Sequence, residues 1–133
     1  MNDNSLLAGK YMKMVLESDP TLIAKIGANK IKPAIAQTEV TFPLVTYTRD
    51  SIYVDYTKDF YNGWKNIVTV SFTVYTEDYD EGLEIINIIR NKLEGRKLYF
   101  PDELTSEEII VMAAQETFDN DIFIQQITFQ TMI

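Results

Sequence analysis

The sequence predicts an α+β fold: an antiparallel β-sheet with two main helices packed on one face, in the order helix, strands, helix, strands. Three observations carry this. Residues 66–76 alternate, with Val68, Val70, Phe72 and Val74 on one side and Thr69, Ser71, Thr73 and Tyr75 on the other, as in a half-buried strand. Directly after them, Leu83, Ile86, Ile89, Arg90 and Leu93 fall along one helical face, and Ile85 and Ile88 widen its apolar surface. Residues 122–133 return to a strand pattern, with Phe123, Ile127, Phe129 and Ile133 on one face.

Taken in order, the chain opens with a helix that Asn4 or Ser5 can cap, and whose apolar stripe is Leu7, Tyr11, Met14 and Val15 with Leu6 beside it. Asp19-Pro20 reads as a cap followed by proline at the first helical position. A short helical turn through Leu22, Ile23 and Ile26 follows, and Gly27 ends it. Residues 31–42 are irregular, with Ile31, Ile35 and Val40 on short extended pieces, because Pro33 and Pro43 prevent a central strand. A strand runs from Leu44 to Asp50 or Val54. Residues 53–64 form an aromatic loop with a turn at Asn62-Gly63, and Trp64 is expected in the core.

Asp78-x-x-Glu81 is a capping-box start to the second main helix, and Gly95 a left-handed stop. Residues 107–117 read as a strand with Glu108, Ile110, Met112 and Ala114 on one side and Ile109, Val111 and Ala113 on the other. Helix is the alternative there, since Ala, Glu and Met favour it. Asp119-Asn120-Asp121 is a turn. The final strand's polar positions Gln125, Gln126, Thr128, Gln130 and Thr131 make its second face partly wet.

The length of 133 residues fits one domain spanning 1–133, large enough to bury a core. The chain has no Cys and no His. That removes disulfides, thiol nucleophiles, the usual neutral-pH base and the commonest metal ligands, so no catalytic, cofactor-binding or metal residue is assigned. The polar start Met1-Asn2-Asp3-Asn4 lacks a basic region, Lys10 and Lys13 interrupt the apolar run behind it, and no stretch approaches a membrane span. A protein of the cytoplasm is expected, with no membrane partner. Net charge is −8, unevenly placed: residues 1–66 carry +1 and residues 67–133 carry −9. A phosphate-gripping face would need the opposite sign in the second half.

Several pieces together resemble a known family: Asp19-Pro20-Thr21-Leu22, Pro43-Leu44-Val45-Thr46-Tyr47, Val74-Tyr75-Thr76, Asp80-Glu81-Gly82-Leu83, and Ile89-Arg90-Asn91-Lys92-Leu93-Glu94-Gly95. The layout resembles the tail-completion, or tail-terminator, proteins of long-tailed bacteriophages and the prophage family of unassigned function grouped with them. The likeness covers most of residues 5–95 in short, degenerate pieces. It departs from the family between Ala34 and Thr41, where a polar linker stands in place of a basic or glycine-rich turn. The resemblance implies a non-enzymatic subunit of a hexameric ring that caps the tail tube and joins it to the head connector. DNA would pass through the lumen without specific binding. Assembly would take place in the host cytoplasm and end in the virion tail. The alternatives are another head–tail connector, a small protein-binding domain such as a secretion-tube adaptor, and an enzyme using carboxylates and tyrosines.

Two groups of residues are candidates for such a role. Tyr53, Tyr56, Phe60 and Tyr61 in the aromatic loop are interface candidates, because Tyr and Trp bury large areas at small entropic cost. Glu77, Asp78, Asp80, Glu81 and Glu84 are candidate lumen acids that would repel DNA. Their spacing fails a calcium loop, which would place Gly82 at a ligand position and Ile89 where the bidentate Glu belongs. Acids favoured at a helix N-terminus are the plainer account.

Overall fold

The middle of the fold is the strand the alternation marks most clearly. In this computed structural model, which describes residues 3–34, 41–54 and 66–133, that strand is β3 (Asn66–Thr76). It pairs antiparallel on one side with β2 (Leu44–Val54) and on the other with β5 (Ile122–Met132), so Phe72 lies between Tyr47 and Ile127. β4 (Ile110–Asp119) pairs antiparallel with β5, and β1 (Ile31–Pro33) pairs with β2, giving the order β1-β2-β3-β5-β4. β1 runs parallel to β2, so the sheet is mixed where a purely antiparallel one was expected. Pro33 sits on this edge strand, where its missing N–H leaves no ladder bond unmade.

Helices α1 (Asp3–Glu17) and α3 (Tyr79–Leu93) pack side by side on one face of the sheet, α1 over β2 and β3 and α3 over β3 and β5. The short α2 (Pro20–Ile26) packs against both. Asp19 accepts hydrogen bonds from the N–H groups of Thr21 and Leu22, and Asp78 accepts one from Glu81 N, so both predicted caps form. Gly27 and Gly95 end α2 and α3 at positive φ. The core between helices and sheet holds Met12, Leu16, Val68, Val70, Phe72, Ile85, Ile89 and Phe129.

The helical stripes differ from those expected. α1 buries Ser5, Ala8, Gly9, Met12 and Leu16, while Leu6, Leu7 and Met14 are exposed and Tyr11 and Val15 lie half-buried at its flank. Asn4 and Ser5 lie within the helix and do not cap it: Asn4 donates to Asp102, and Ser5 receives the Asn66 side-chain N–H. Gly9 faces the Tyr47 ring so closely that an added Cβ would lie 3.2 Å from it, and the small residues Ser5, Ala8 and Gly9 allow this approach. In α3 the buried line is Gly82, Ile85, Ile89 and Leu93, and Leu83 and Arg90 turn outward.

Residues 110–119 are strand, which decides between the two sequence readings. A bulge between Val111 and Ala113 breaks the expected alternation: Val111 and Ala114 pair with Phe129 and Ile127 on the helix side, while Ile110 and Ala113 pair with Gln130 and Thr128 on the other. Asn120 and Asp121 both have positive φ, as a two-residue hairpin turn requires. In β5, Gln125 and Thr131 share the buried face with Ile127 and Phe129, and the wet face is narrower than expected. There Gln126 and Gln130 donate to Thr73 and Thr69, and Ser71 bonds Thr128 and Asp50, so the sheet's second face is a hydrogen-bonded polar ladder. With both neighbours in place, β5 has no free edge to offer another sheet.

Candidate assembly surfaces

The acids expected to act together stand where β3 turns into α3, and local structure already engages two of them. Asp78 caps the helix, and Glu84 forms a 2.5 Å ion pair with Lys25 of α2. Glu77 and Asp80 are exposed and Glu81 is half-buried, all at the positive end of the helix dipole. Among the described residues, no group of three or more Asp, Glu, His or Cys is placed to hold a metal ion.

Of the aromatic candidates, Tyr53 lies near the end of β2, opposite Ile67, and the residue is 65% exposed. Tyr56, Phe60, Tyr61 and Trp64 lie outside the described residues.

A second aromatic group emerges that the sequence does not single out. Tyr79, Phe118 and Phe123 meet where α3 begins and the β4–β5 hairpin turns, with centroid distances of 5.5 Å for Tyr79–Phe123 and 4.7 Å for Phe118–Phe123. Phe118 and Phe123 face each other across the hairpin, a pairing fixed by register and therefore invisible to helix or strand periodicity. Tyr79 donates a 2.8 Å hydrogen bond to Glu116, and the Gln125 amide donates one of 2.9 Å to the same oxygen. These residues line a cavity of about 230 Å³.

The bond to Glu116, helped by desolvation and by the nearby negative charges, raises the Tyr79 pKa. The donors Gln125 and Tyr79 lower that of Glu116. Both shifts move titration away from neutral pH, the wrong direction for acid–base work there. The stabilising effect of the network has two limits. The Tyr79 contribution is full below the unfolded tyrosine pKa of about 10 and is lost as pH rises through the higher folded value. The Glu116 contribution is present above the unfolded carboxyl pKa of about 4.3 and is lost as pH falls through the lower folded value. Tyr79→Phe should therefore narrow its stability difference from the parent at both extremes relative to pH 7, as read from urea midpoints across pH.

The charge division along the chain becomes a division in space. Residues up to 54 supply α1, α2, β1 and β2, one side of the sheet, while α3, β4 and β5 on the other side come from the half carrying −9. A basic spot remains at the far end of α3, where Lys92, Arg96 and Lys97 with Tyr99, Glu94 and Glu108 border a cavity of about 480 Å³. Among the described residues, no helix is long and apolar enough to cross a membrane.

No protein-family model and no curated protein matches the chain. Its structure is similar to that of a chain in the virion of a native gene transfer agent particle, with a TM-score of 0.79. The match spans 97% of this chain and 94% of the other, at 14% sequence identity. The likeness is one of fold over nearly the whole length of both chains, at an identity too low to carry residue roles.

Proposed function

We propose that this chain is a structural subunit of a phage-type particle, a tail terminator that forms a six-membered ring at the end of the tail tube and joins it to the head connector. The observation that carries the reading is the near full-length fold match to a chain of a virion particle. The resemblance of residues 5–95 to tail-terminator proteins supports the finer role. In this reading the chain works through complementary surfaces, assembles in the bacterial host, and has the tube protein, the connector protein and further copies of itself as partners. Exposed Tyr53 would contribute contacts, with Tyr56, Phe60 and Tyr61 as further candidates. Glu77, Asp80 and Glu81, the acids not engaged in the cap or the ion pair, would face the lumen and repel passing DNA.

Growth of tail tubes from the tube protein of the same genome tests the proposal. Added chain should bind tube ends and stop elongation. Tubes that grow unchanged beside excess chain would favour a different connector or a small binding domain.

A further inference from the structure

The two edges of the sheet are built differently. At one, β1 has 3 residues and ends in Pro33, which has no N–H to offer a further strand. At the other, β4 runs for 10 residues with no Pro, Lys or Arg. A bulge between Val111 and Ala113 guards the start of β4, but from Ala113 to Asp119 its register with β5 is regular. Among the described residues only β5 pairs with this run, and every residue in it is exposed. Its outward N–H and C=O groups form half a ladder, which an extended backbone completes.

The side chains of the run indicate what that backbone should carry. On the helix side stand Ala114, Glu116 and Phe118, paired in β5 with Ile127, Gln125 and Phe123. Tyr79 and Gln125 both donate to Oε2 of Glu116, and Oε1 has no partner among the described residues. Phe118, two residues on, is 59% exposed. A charged carboxylate near an exposed aromatic ring suits a Lys or Arg side chain. The fold supplies none there. No Lys or Arg follows Lys97 in the chain, and the hairpin adds Asp119 and Asp121. From α3, Asp80 acts on Tyr79, and Arg90 is paired with Glu94. Lys92, Arg96 and Lys97 stand beyond the other end of β4, around Glu108.

We infer that the edge from Ala113 to Asp119 takes an extended segment of a partner protein as an added strand, with a Lys or Arg of that segment set against Glu116. The residues two before and two after that cation would lie over Ala114 and Phe118 on the same face, so apolar side chains fit there. A second β4 is a poor occupant, because it brings further acids and no cation. The contact stands whether or not the chain caps tail tubes.

The probe is a labelled peptide of about eight residues, the length of an ordinary strand, alternating Thr and Val with one Arg at the centre of the Val face. Fluorescence anisotropy with the whole chain should show saturable binding, and the amide NMR shifts that accompany it should gather on residues 113–119. Citrulline in place of the Arg keeps the shape and removes the charge, and should weaken binding about fivefold. E116Q should weaken the Arg peptide to the same degree and leave the citrulline peptide unchanged. N-methylation of alternate peptide amides, in one of the two possible sets, should abolish binding, because that set faces β4. No saturable binding of the Arg peptide, shifts centred elsewhere, or an affinity indifferent to both citrulline and E116Q would overturn the contact. That outcome leaves tube capping untouched, and uncapped tubes beside a bound Arg peptide would overturn the tail-terminator reading and keep the contact.

Discussion

Phe72→Ala should lower the unfolding free energy by about 3–5 kcal/mol, the usual range for removing a fully buried phenylalanine. Phe72 is fully buried at the centre of the middle strand. Its ring stacks on Tyr47 at 5.8 Å and meets the edge of Phe129 at 6.1 Å, so it joins β2, β3 and β5. β3 is hydrogen-bonded on both sides, which restricts the collapse that would otherwise fill the cavity. The loss is a large share of the roughly 5–15 kcal/mol that holds a domain together. Phe72→Leu, closer in volume, should cost less than about 1.5 kcal/mol. Urea unfolding followed by far-UV circular dichroism measures both. A loss below about 1 kcal/mol for the alanine variant would mean that the β3 ring is not the centre of the core.

The second large effect has the opposite sign from what helix propensity suggests. Alanine at an interior helical glycine normally stabilises by about 1 kcal/mol. Gly82→Ala should instead destabilise by about 1–2 kcal/mol, because the overpacking term is larger. An added Cβ would lie 2.8 Å from Thr76 Oγ1. That hydroxyl donates a 2.7 Å hydrogen bond to the Asp78 carbonyl at the start of the same helix. The turn from β3 into α3 is held at one end and cannot easily give. Combining Gly82→Ala with Thr76→Ala removes the clash, so the alanine at 82 should then be neutral or stabilising. A double-mutant cycle isolates this coupling. Gly82→Ala that stabilises with Thr76 intact would show that the helix can shift away from the strand.

These two sites also mark what was legible in the sequence. The caps at Asp19 and Asp78, the stops at Gly27 and Gly95 and the strand at 66–76 follow from local chemistry, and local chemistry is written in adjacent residues. The inner face of α1 was not legible. Periodicity finds apolar stripes, and α1 has two: Ala8, Met12 and Leu16 inside, Leu7 and Met14 outside. The outer stripe holds a Leu and a Met just as the inner one does, so periodicity does not choose between them, and the inner face is chosen by the close approach to Tyr47 that Gly9 permits. The same reason moves the α3 stripe toward Gly82 and Ile85. The parallel pairing of β1 depends on how the chain returns between Pro33 and Leu44, which no alternation encodes. The cluster of Tyr79, Phe118 and Phe123 arises from strand order and register, so residues far apart in sequence had to be placed before it could be seen.

In the proposed role the chain acts at a tube end, and acts by shape. The most direct measurement is the length distribution of tail tubes, imaged in negative stain, polymerised with increasing amounts of the chain. In that role, mean length should fall once there are enough chains for one ring per tube, with a ring of six visible at one end and none along the wall. Unchanged lengths with chain free in solution, or chain bound along the wall with growth continuing, would contradict it.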